Sequence, residues 1–198
     1  DIPSALEADF NDWYDREHLA ERAGIPGFRN ARRYIAEDAK PKYHALYETD
    51  SLAVFASPEY QRYLGPLMTG WSKRIMGAFE NNHRRCCRFV AGGGGGLRPP
   101  GASPRLRGAD GLGAQLEWRG LPSAVSTSGP IGAKCWRSDL AVTFPDGPPR
   151  EVLAESIVEI EATGVAAANA GAEALIAALP AEAPVFRGLY RLLHALPA

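Results

Sequence analysis

The stretch that decides the fold is Asn11–Leu19, with the sequence NDWYDREHL, followed by Ile25–Phe28, with the sequence IPGF. Apolar side chains recur in and just before the first segment at three- and four-residue intervals: Leu6, Phe10, Trp13 and Tyr14. Charged residues fill most of the positions between them. This pattern predicts an amphipathic helix over residues 5–22, which Gly24 and Pro26 end.

Two strands are predicted after this helix, over residues 28–36 and 43–49, joined by the polar turn 37–41 into a hairpin. Successive side chains of a strand point to opposite faces. One face of the first strand would carry Phe28, Asn30, Arg32 and Tyr34, and the other Arg29, Ala31, Arg33 and Ile35. We expect the hairpin to pack on the helix of residues 5–22.

The rest of the first half reads as helix and then strand. Ser57-Pro58 is a helix start, residues 70–81 carry apolar side chains at helical spacing, and residues 83–90 form a strand. The order helix–strand–strand–helix–strand is that of a ferredoxin-like unit without its opening strand. Because the sequence does not begin with Met, we expect that strand to precede residue 1.

A run of five glycines, Gly92–Gly96, is followed closely by three prolines. Glycine runs resist regular structure, and no phosphate-loop residues follow them. We therefore predict a linker over residues 92–110, between a ferredoxin-like half at 1–91 and a second, degenerate half at 111–198. Strands are expected there at 114–119, 132–138, 156–162 and 185–193, with a helix at 165–178. Residues 121–130 are too short and too broken by Pro and Gly for a full first helix, so the second half is expected to be eroded.

Composition excludes several classes of function. Lys+Arg number 22 and Asp+Glu 23, so the chain lacks the basic excess of nucleic-acid-binding proteins. No apolar run reaches membrane-spanning length, and no basic segment followed by an apolar stretch opens the chain, which favours a cytoplasmic location. The three cysteines include adjacent Cys86 and Cys87, which cannot bind one metal from the same strand. His83 and His194 have no partner at ligand spacing, so no metal site is expected.

Asn11–Leu19 and Ile25–Phe28 resemble the EthD-like branch of the dimeric α/β-barrel superfamily, in which a W-Y-x-x-x-H helix precedes a P-G-F entry to the second strand. Arg32–Tyr34 and Tyr43–Glu48 continue the likeness, which covers residues 5–90. It implies an α+β fold in which two ferredoxin-like antiparallel sheets, with helices on one face, meet in a barrel. The two sheets would come from a homodimer or from an intramolecular pseudo-dimer.

The resemblance leaves the activity open, because the superfamily includes isomerases, cofactor-free monooxygenases, haem enzymes and proteins of unknown role. It favours a cofactor-free enzyme, of isomerase or monooxygenase type, that acts on a small apolar molecule carrying oxygen. The alternative is a non-catalytic small-molecule-binding or assembly module with the same fold. A cavity shared by the candidate residues would favour the enzyme.

The candidate catalytic residues are His18, Arg33 and Tyr47. An ordinary histidine pKa of about 6.5 suits a general base, although His18 could instead donate a hydrogen bond to a backbone carbonyl at the helix end. Arg33 and Tyr47, on adjacent strands, could hold a developing oxyanion, or Arg33 could pack its stem on Tyr47 at the surface. Tyr14, one helical turn before His18, and His44, in the second strand, are the candidates for ligand contact.

Overall fold

A computed structural model of the chain describes residues 1–93, 102–109, 121–126, 128–149, 152, 154–180 and 185–197. The chain forms two compact units. The first unit comprises Asp1–Tyr34, Pro41–His83 and Leu193–Ala198, and the second comprises Ile35–Lys40 and Arg84–Leu192. The principal division of the chain therefore falls at residue 83, earlier than the predicted linker.

The first unit begins with the predicted helix, which is not a uniform α-helix. A 3₁₀ turn (Ser4–Leu6) leads into α1 (Glu7–Trp13), which a π-helical turn (Tyr14–His18) connects to α2 (Leu19–Ala23). Within the π turn, the Leu19 amide donates to the Tyr14 carbonyl, five residues earlier. The helical segment thus covers the predicted range and widens at its centre.

The predicted hairpin is confirmed as β1 (Phe28–Asp38) and β2 (Tyr43–Thr49), which are neighbours in the sheet. Its packing on the helix is confirmed by the rings of Phe10 and Tyr43, whose centroids are 4.8 Å apart. Gly27 enters β1 with φ +91, and a Cβ there would lie 2.6 Å from Val54 Cγ2. Glycine is therefore required in the P-G-F segment.

A 3₁₀ helix (Leu52–Ala56) and two α-helices, α3 (Pro58–Leu64) and α4 (Gly70–Gly77), follow in the first unit. Ser57 Oγ accepts from the Tyr60 amide at 3.2 Å, as the sequence predicts, and Thr69 Oγ1 accepts from the Ser72 amide at 2.9 Å. Because these side chains satisfy free amides of the first turn, they define where each helix starts.

The second unit follows the ferredoxin-like order strand–helix–strand–strand–helix–strand. Its elements are β3 (Cys87–Gly93), β4 (Ala102–Ala109), α5 (Leu121–Ser126), β5 (Pro130–Ser138), α6 (Leu140–Thr143), β6 (Glu155–Ala162), α7 (Val165–Ala177) and β7 (Val185–Pro197). The strands lie in the order β7-β4-β6-β5-β3, with every pairing antiparallel. Strand β3 adds to the edge of the four-stranded ferredoxin-like sheet.

Two predictions for this region are wrong. The predicted linker contains β4, a central strand paired with both β6 and β7, and the end of β3. The helix predicted to be lost is present as the six-residue α5. The second unit is therefore less eroded than the sequence indicates. The strand predicted at 114–119 lies outside the described residues.

The helix-facing side of the second unit is filled by small and aliphatic side chains. These are Leu121, Ala124, Ala133, Cys135, Val158, Ile160, Ala172, Leu175 and Leu179, all buried. Within the described ranges, none of the helices has the length and hydropathy needed to cross a membrane.

Candidate functional site

The π turn of the first unit brings Tyr14 and His18 together against the hairpin. Their ring centroids are 5.0 Å apart in an edge contact, and the His18 ring lies 6.4 Å from that of Tyr47 on β2. Isolated π turns occur frequently at functional sites, because the wider turn displaces side chains from their α-helical positions.

His18 is buried among aromatic rings and has no hydrogen-bonding partner in the described part of the chain. Its side chain is stacked on Trp13, with centroids 4.3 Å apart and planes inclined by 27°, and the residue is 8% exposed. Nδ1 is fully buried and bonds to no atom of the described residues. The predicted alternative, a bond from His18 to a backbone carbonyl, is therefore not seen.

Burial, together with the nearby positive charge of Arg22, lowers the pKa of His18 to about 3. The imidazole is thus neutral at physiological pH. The expectation of a base titrating near pH 6.5 is wrong for the folded chain by itself, because burial among aromatic rings disfavours the charged imidazole. An anion bound beside His18 would act in the opposite direction and raise its pKa.

Tyr14 and Tyr47 form a phenol pair, with their hydroxyl oxygens 3.1 Å apart. Burial raises the pKa of both hydroxyls, that of Tyr47 well above its usual value. Both are therefore protonated at neutral pH, and only one of the two hydrogens is used within the pair. The other has no acceptor among the described residues, so the pair can donate one hydrogen bond to a ligand.

Arg33 lies close to this pair, but its guanidinium already has partners. Nη1 donates to Asp15 Oδ1 at 2.9 Å and to the Asn11 carbonyl at 3.3 Å, and the group lies over the Tyr14 ring, 4.6 Å from its centroid. At 2% exposure it is not the surface arginine of the alternative interpretation. Arg33 therefore joins α1 to β1 and positions Tyr14, whereas no hydrogen bond or cation–π contact joins it to Tyr47 among the described residues.

His44 does not join this cluster. Tyr43 and Tyr47 face the helices, so the alternation of β2 directs His44 to the opposite face, where it stacks on Tyr34 with centroids 5.6 Å apart. The prediction that His44 and Tyr14 contact one ligand does not fit this arrangement.

Two residues of the site were missed by the sequence analysis. Glu17 Oε1 accepts from Trp13 Nε1 at 3.2 Å, Thr69 Oγ1 at 2.6 Å and Ser72 Oγ at 2.9 Å, which ties the π turn to α4. Arg22 is buried at 5% exposure. The only sequence signal for Arg22 is its position one turn after His18.

Metal binding has no obvious location in the described part of the chain. No group of three or more His, Cys, Asp or Glu side chains lies close enough together there to hold an ion. The absence of a cofactor remains a prediction.

Comparison with known proteins gives structural matches only. No family model and no curated protein matches the sequence. Solved structures match over nearly the whole chain. An anthrone oxidase-like protein is 10% identical, with TM-score 0.57 over 96% of this chain and 87% of its own.

Two further matches are proteins described as proposed monooxygenases. The one from Fusobacterium nucleatum subsp. nucleatum is 9% identical, with TM-score 0.63 over 99% of this chain and 90% of its own. The one from Lactobacillus acidophilus is 8% identical, with TM-score 0.55 over 99% and 91%. At such identities the likeness shows the fold alone. The chain has a ferredoxin-like α+β fold, as predicted.

Proposed function

We propose that this protein is a cofactor-independent oxygenase that adds an oxygen atom from O₂ to a small, largely apolar, enolisable or phenolic substrate. The observation that carries the proposal is the buried, neutral His18, whose Nδ1 has no partner among the described residues. Leaving such a polar atom unsatisfied costs about 1–3 kcal/mol. A ligand that completes the bond removes this cost, and the aromatic surroundings suit an apolar ligand.

The phenol pair supplies the second part of the site. When a C–H or O–H group beside a carbonyl loses its proton, negative charge develops on the oxygen. The spare hydroxyl hydrogen of Tyr14 and Tyr47 can donate to that oxygen. His18 takes the proton, and the imidazolium is then stabilised by the enolate that its own action creates.

The reaction needs only the substrate and O₂. For an activated methylene group, the enolate transfers electrons to O₂ and forms a carbon-bound hydroperoxide. Loss of water then leaves a ketone, so that R₂CH₂ and O₂ give R₂C=O and H₂O. The methylene carbon supplies all four electrons, and one oxygen atom appears in each product. The names of the structural neighbours, an anthrone oxidase-like protein and two proposed monooxygenases, agree with this class of reaction.

A non-catalytic binding module of the same fold is the second candidate. The pKa of His18, lowered to about 3, favours it, because a base this weak takes up a proton only if the bound ligand raises its pKa. Ligand binding without oxygen consumption would distinguish this module from the oxygenase.

The test uses anthrone, an activated methylene compound that the name of one neighbour suggests. We expect oxygen uptake equimolar with ketone formation, and transfer of label from isotopically labelled O₂ to the ketone. His18→Phe, which keeps a ring stacked on Trp13, should lower kcat by about 100-fold or more. Tyr47→Phe should lower kcat by a smaller factor, because Tyr14 keeps a hydroxyl.

The matched control is His83→Phe, the same substitution at an exposed histidine, and it should leave kcat unchanged. Binding of anthrone without oxygen uptake would contradict the oxygenase and support the binding module. Unchanged turnover in His18→Phe would show that this cluster is not the site.

A further inference from the structure

Arg22, on α2, carries a buried positive charge without a negative partner. It is 5% exposed, and Nη1 is fully buried without a hydrogen-bonding partner. In the described residues its side chain makes no hydrogen bond and no ion pair. Burying an uncompensated charge is strongly unfavourable, so a residue kept in this state has the character of an incomplete binding site.

The aromatic contacts of Arg22 do not satisfy its N–H groups. The guanidinium lies over the rings of Tyr60 and Tyr63, 5.4 Å and 5.8 Å from their centroids. Such contacts stabilise the charge through the flat face of the group. Guanidinium donors lie at its rim and form hydrogen bonds in its plane, so they stay available for an anion.

A second unsatisfied group lies one helical turn away. His18 Nδ1, also buried, has no partner among the described residues, and the charge of Arg22 acts on His18 and on the Tyr47 hydroxyl. The adjacent acid, Glu21, forms no ion pair with Arg22. Burial and the nearby charge of Glu17 raise the pKa of Glu21, and the charge of Arg22 acts on it in the opposite direction without a direct contact.

Arg33 shows the contrasting case in the same unit. It is equally buried, but it donates to Asp15 and Asn11, so its charge is compensated within the protein. Of these two buried arginines, Arg22 is the one whose side chain makes no hydrogen bond within the described residues, whereas Arg33 makes three.

We infer that Arg22, together with His18, binds the charged oxygen of an aromatic oxyanion, such as a phenolate or enolate. The inference extends the proposed function, because it states that the substrate binds as its anion. A catalytic role for this binding rests on the proposed function. A bidentate carboxylate is the other source of such an oxygen. The experiment therefore includes both chemistries.

The test measures binding of 4-nitrophenol, whose anion and neutral form differ in visible absorption, with benzoate as the carboxylate probe. The wild-type protein should bind the phenolate more tightly than the phenol, so that the bound probe ionises at lower pH than the free probe. Arg22→Met should weaken phenolate binding about 10- to 100-fold and leave binding of the neutral phenol unchanged. Arg22→Lys, which keeps the charge, should lose less. Benzoate should bind less tightly than the phenolate.

Arg16→Met is the matched control, since Arg16 lies in the same helical segment with a side chain that is 73% exposed. It should bind 4-nitrophenolate like the wild type. The melting temperature supplies a second readout. Arg22→Met replaces an uncompensated charge by an apolar side chain of similar length, so it should raise the melting temperature of the ligand-free protein.

The inference is overturned if Arg22→Met binds 4-nitrophenolate as the wild type does, or if the wild type prefers the neutral phenol or benzoate. A lower melting temperature with unchanged anion binding would assign Arg22 a purely structural role over the tyrosine rings. These failures differ from failure of the proposed function. If phenolate binding depends on Arg22 but no oxygen is consumed with anthrone as the substrate, the oxygenase is contradicted and the inferred anion site is supported.

Discussion

The two units of this chain share a layer arrangement, a sheet with helices on one face, but fill the space between the layers differently. The second unit fills it with small and aliphatic side chains. The first unit fills it with rings and charges: Trp13, Tyr14, His18, Arg33, Tyr43 and Tyr47. An aliphatic core leaves no polar atom that needs a ligand, whereas the polar cluster leaves at least two. The comparison supports the placement of the proposed site in the first unit.

The largest expected effect is on the aliphatic core. Leu175 on α7 is fully buried in it, and Leu175→Ala should reduce the free energy of unfolding by about 3 kcal/mol, through lost burial and the cavity left behind. Urea denaturation measures this loss. Glu173→Ala, exposed on the same helix, is the control and should change stability by less than about 0.5 kcal/mol. A loss below about 1 kcal/mol for Leu175→Ala would show that this core is loosely packed.

The second prediction concerns the polar cluster and its response to pH. His18 titrates at about 3 in the folded chain and at about 6.5 when unfolded. The unfolded state therefore takes up the proton first as the pH falls, and the folded state loses stability between pH 6.5 and pH 3. Between pH 7 and pH 5 the loss amounts to about 2 kcal/mol.

Urea denaturation at pH 7 and pH 5 gives the loss of unfolding free energy between the two pH values. The contribution of His18 is the difference between this loss in the wild type and in His18→Phe. The variant has no titrating group at this position and should lose about 2 kcal/mol less than the wild type. An equal loss in the two proteins would show that His18 is accessible to water and titrates normally, which would remove the basis of the proposed site.

The smallest expected effect tests how closely α7 approaches the sheet. A Cβ at Gly171 would lie 2.9 Å from Pro130 Cγ and 3.2 Å from both the Ala124 carbonyl oxygen and Ile160 Cγ2. Gly171→Ala should therefore destabilise the protein by about 1 kcal/mol, because overpacking outweighs the gain in helix propensity. Gly77→Ala, at the end of α4 with no atom within 4 Å of the added Cβ, is the control and should be neutral or stabilising. A stabilising Gly171→Ala would indicate that α7 can move away from the sheet.

The sequence predicted the elements of the first unit because local pattern and tertiary structure agree there. Phe10 and Trp13 mark the helix face that packs on α4 and the hairpin, and the ranges predicted for the strands, 28–36 and 43–49, match β1 and β2. The predicted division of the first strand into two faces is not kept, since Phe28 and Arg33 both contact residues of the helices. Strand β4 was missed because Pro104 and Gly108 oppose strand structure. Its pairing with two neighbouring strands outweighs that local preference.

The candidate site was only partly predictable for a similar reason. His18, Tyr14 and Tyr47 could be named from spacing and strand position. Arg22 reads in the sequence as a solvated residue near a helix end, because only the tyrosines of the later helix α3 and its neighbourhood bury it. The difference between the two arginines could not be predicted from the sequence either. Arg33 reaches Asp15 and Asn11 only when β1 packs on α1.

The π turn at Tyr14–His18 has a consequence for how such a site can be gained or lost in evolution. A π turn contains one residue more than the α-helical turn it replaces. Deletion of a single codon within this turn would restore a regular helix and remove the widening that displaces the side chains of Tyr14 and His18 from their α-helical positions. A change of one residue in length therefore separates a chain that gathers these polar groups from one that keeps the fold and disperses them.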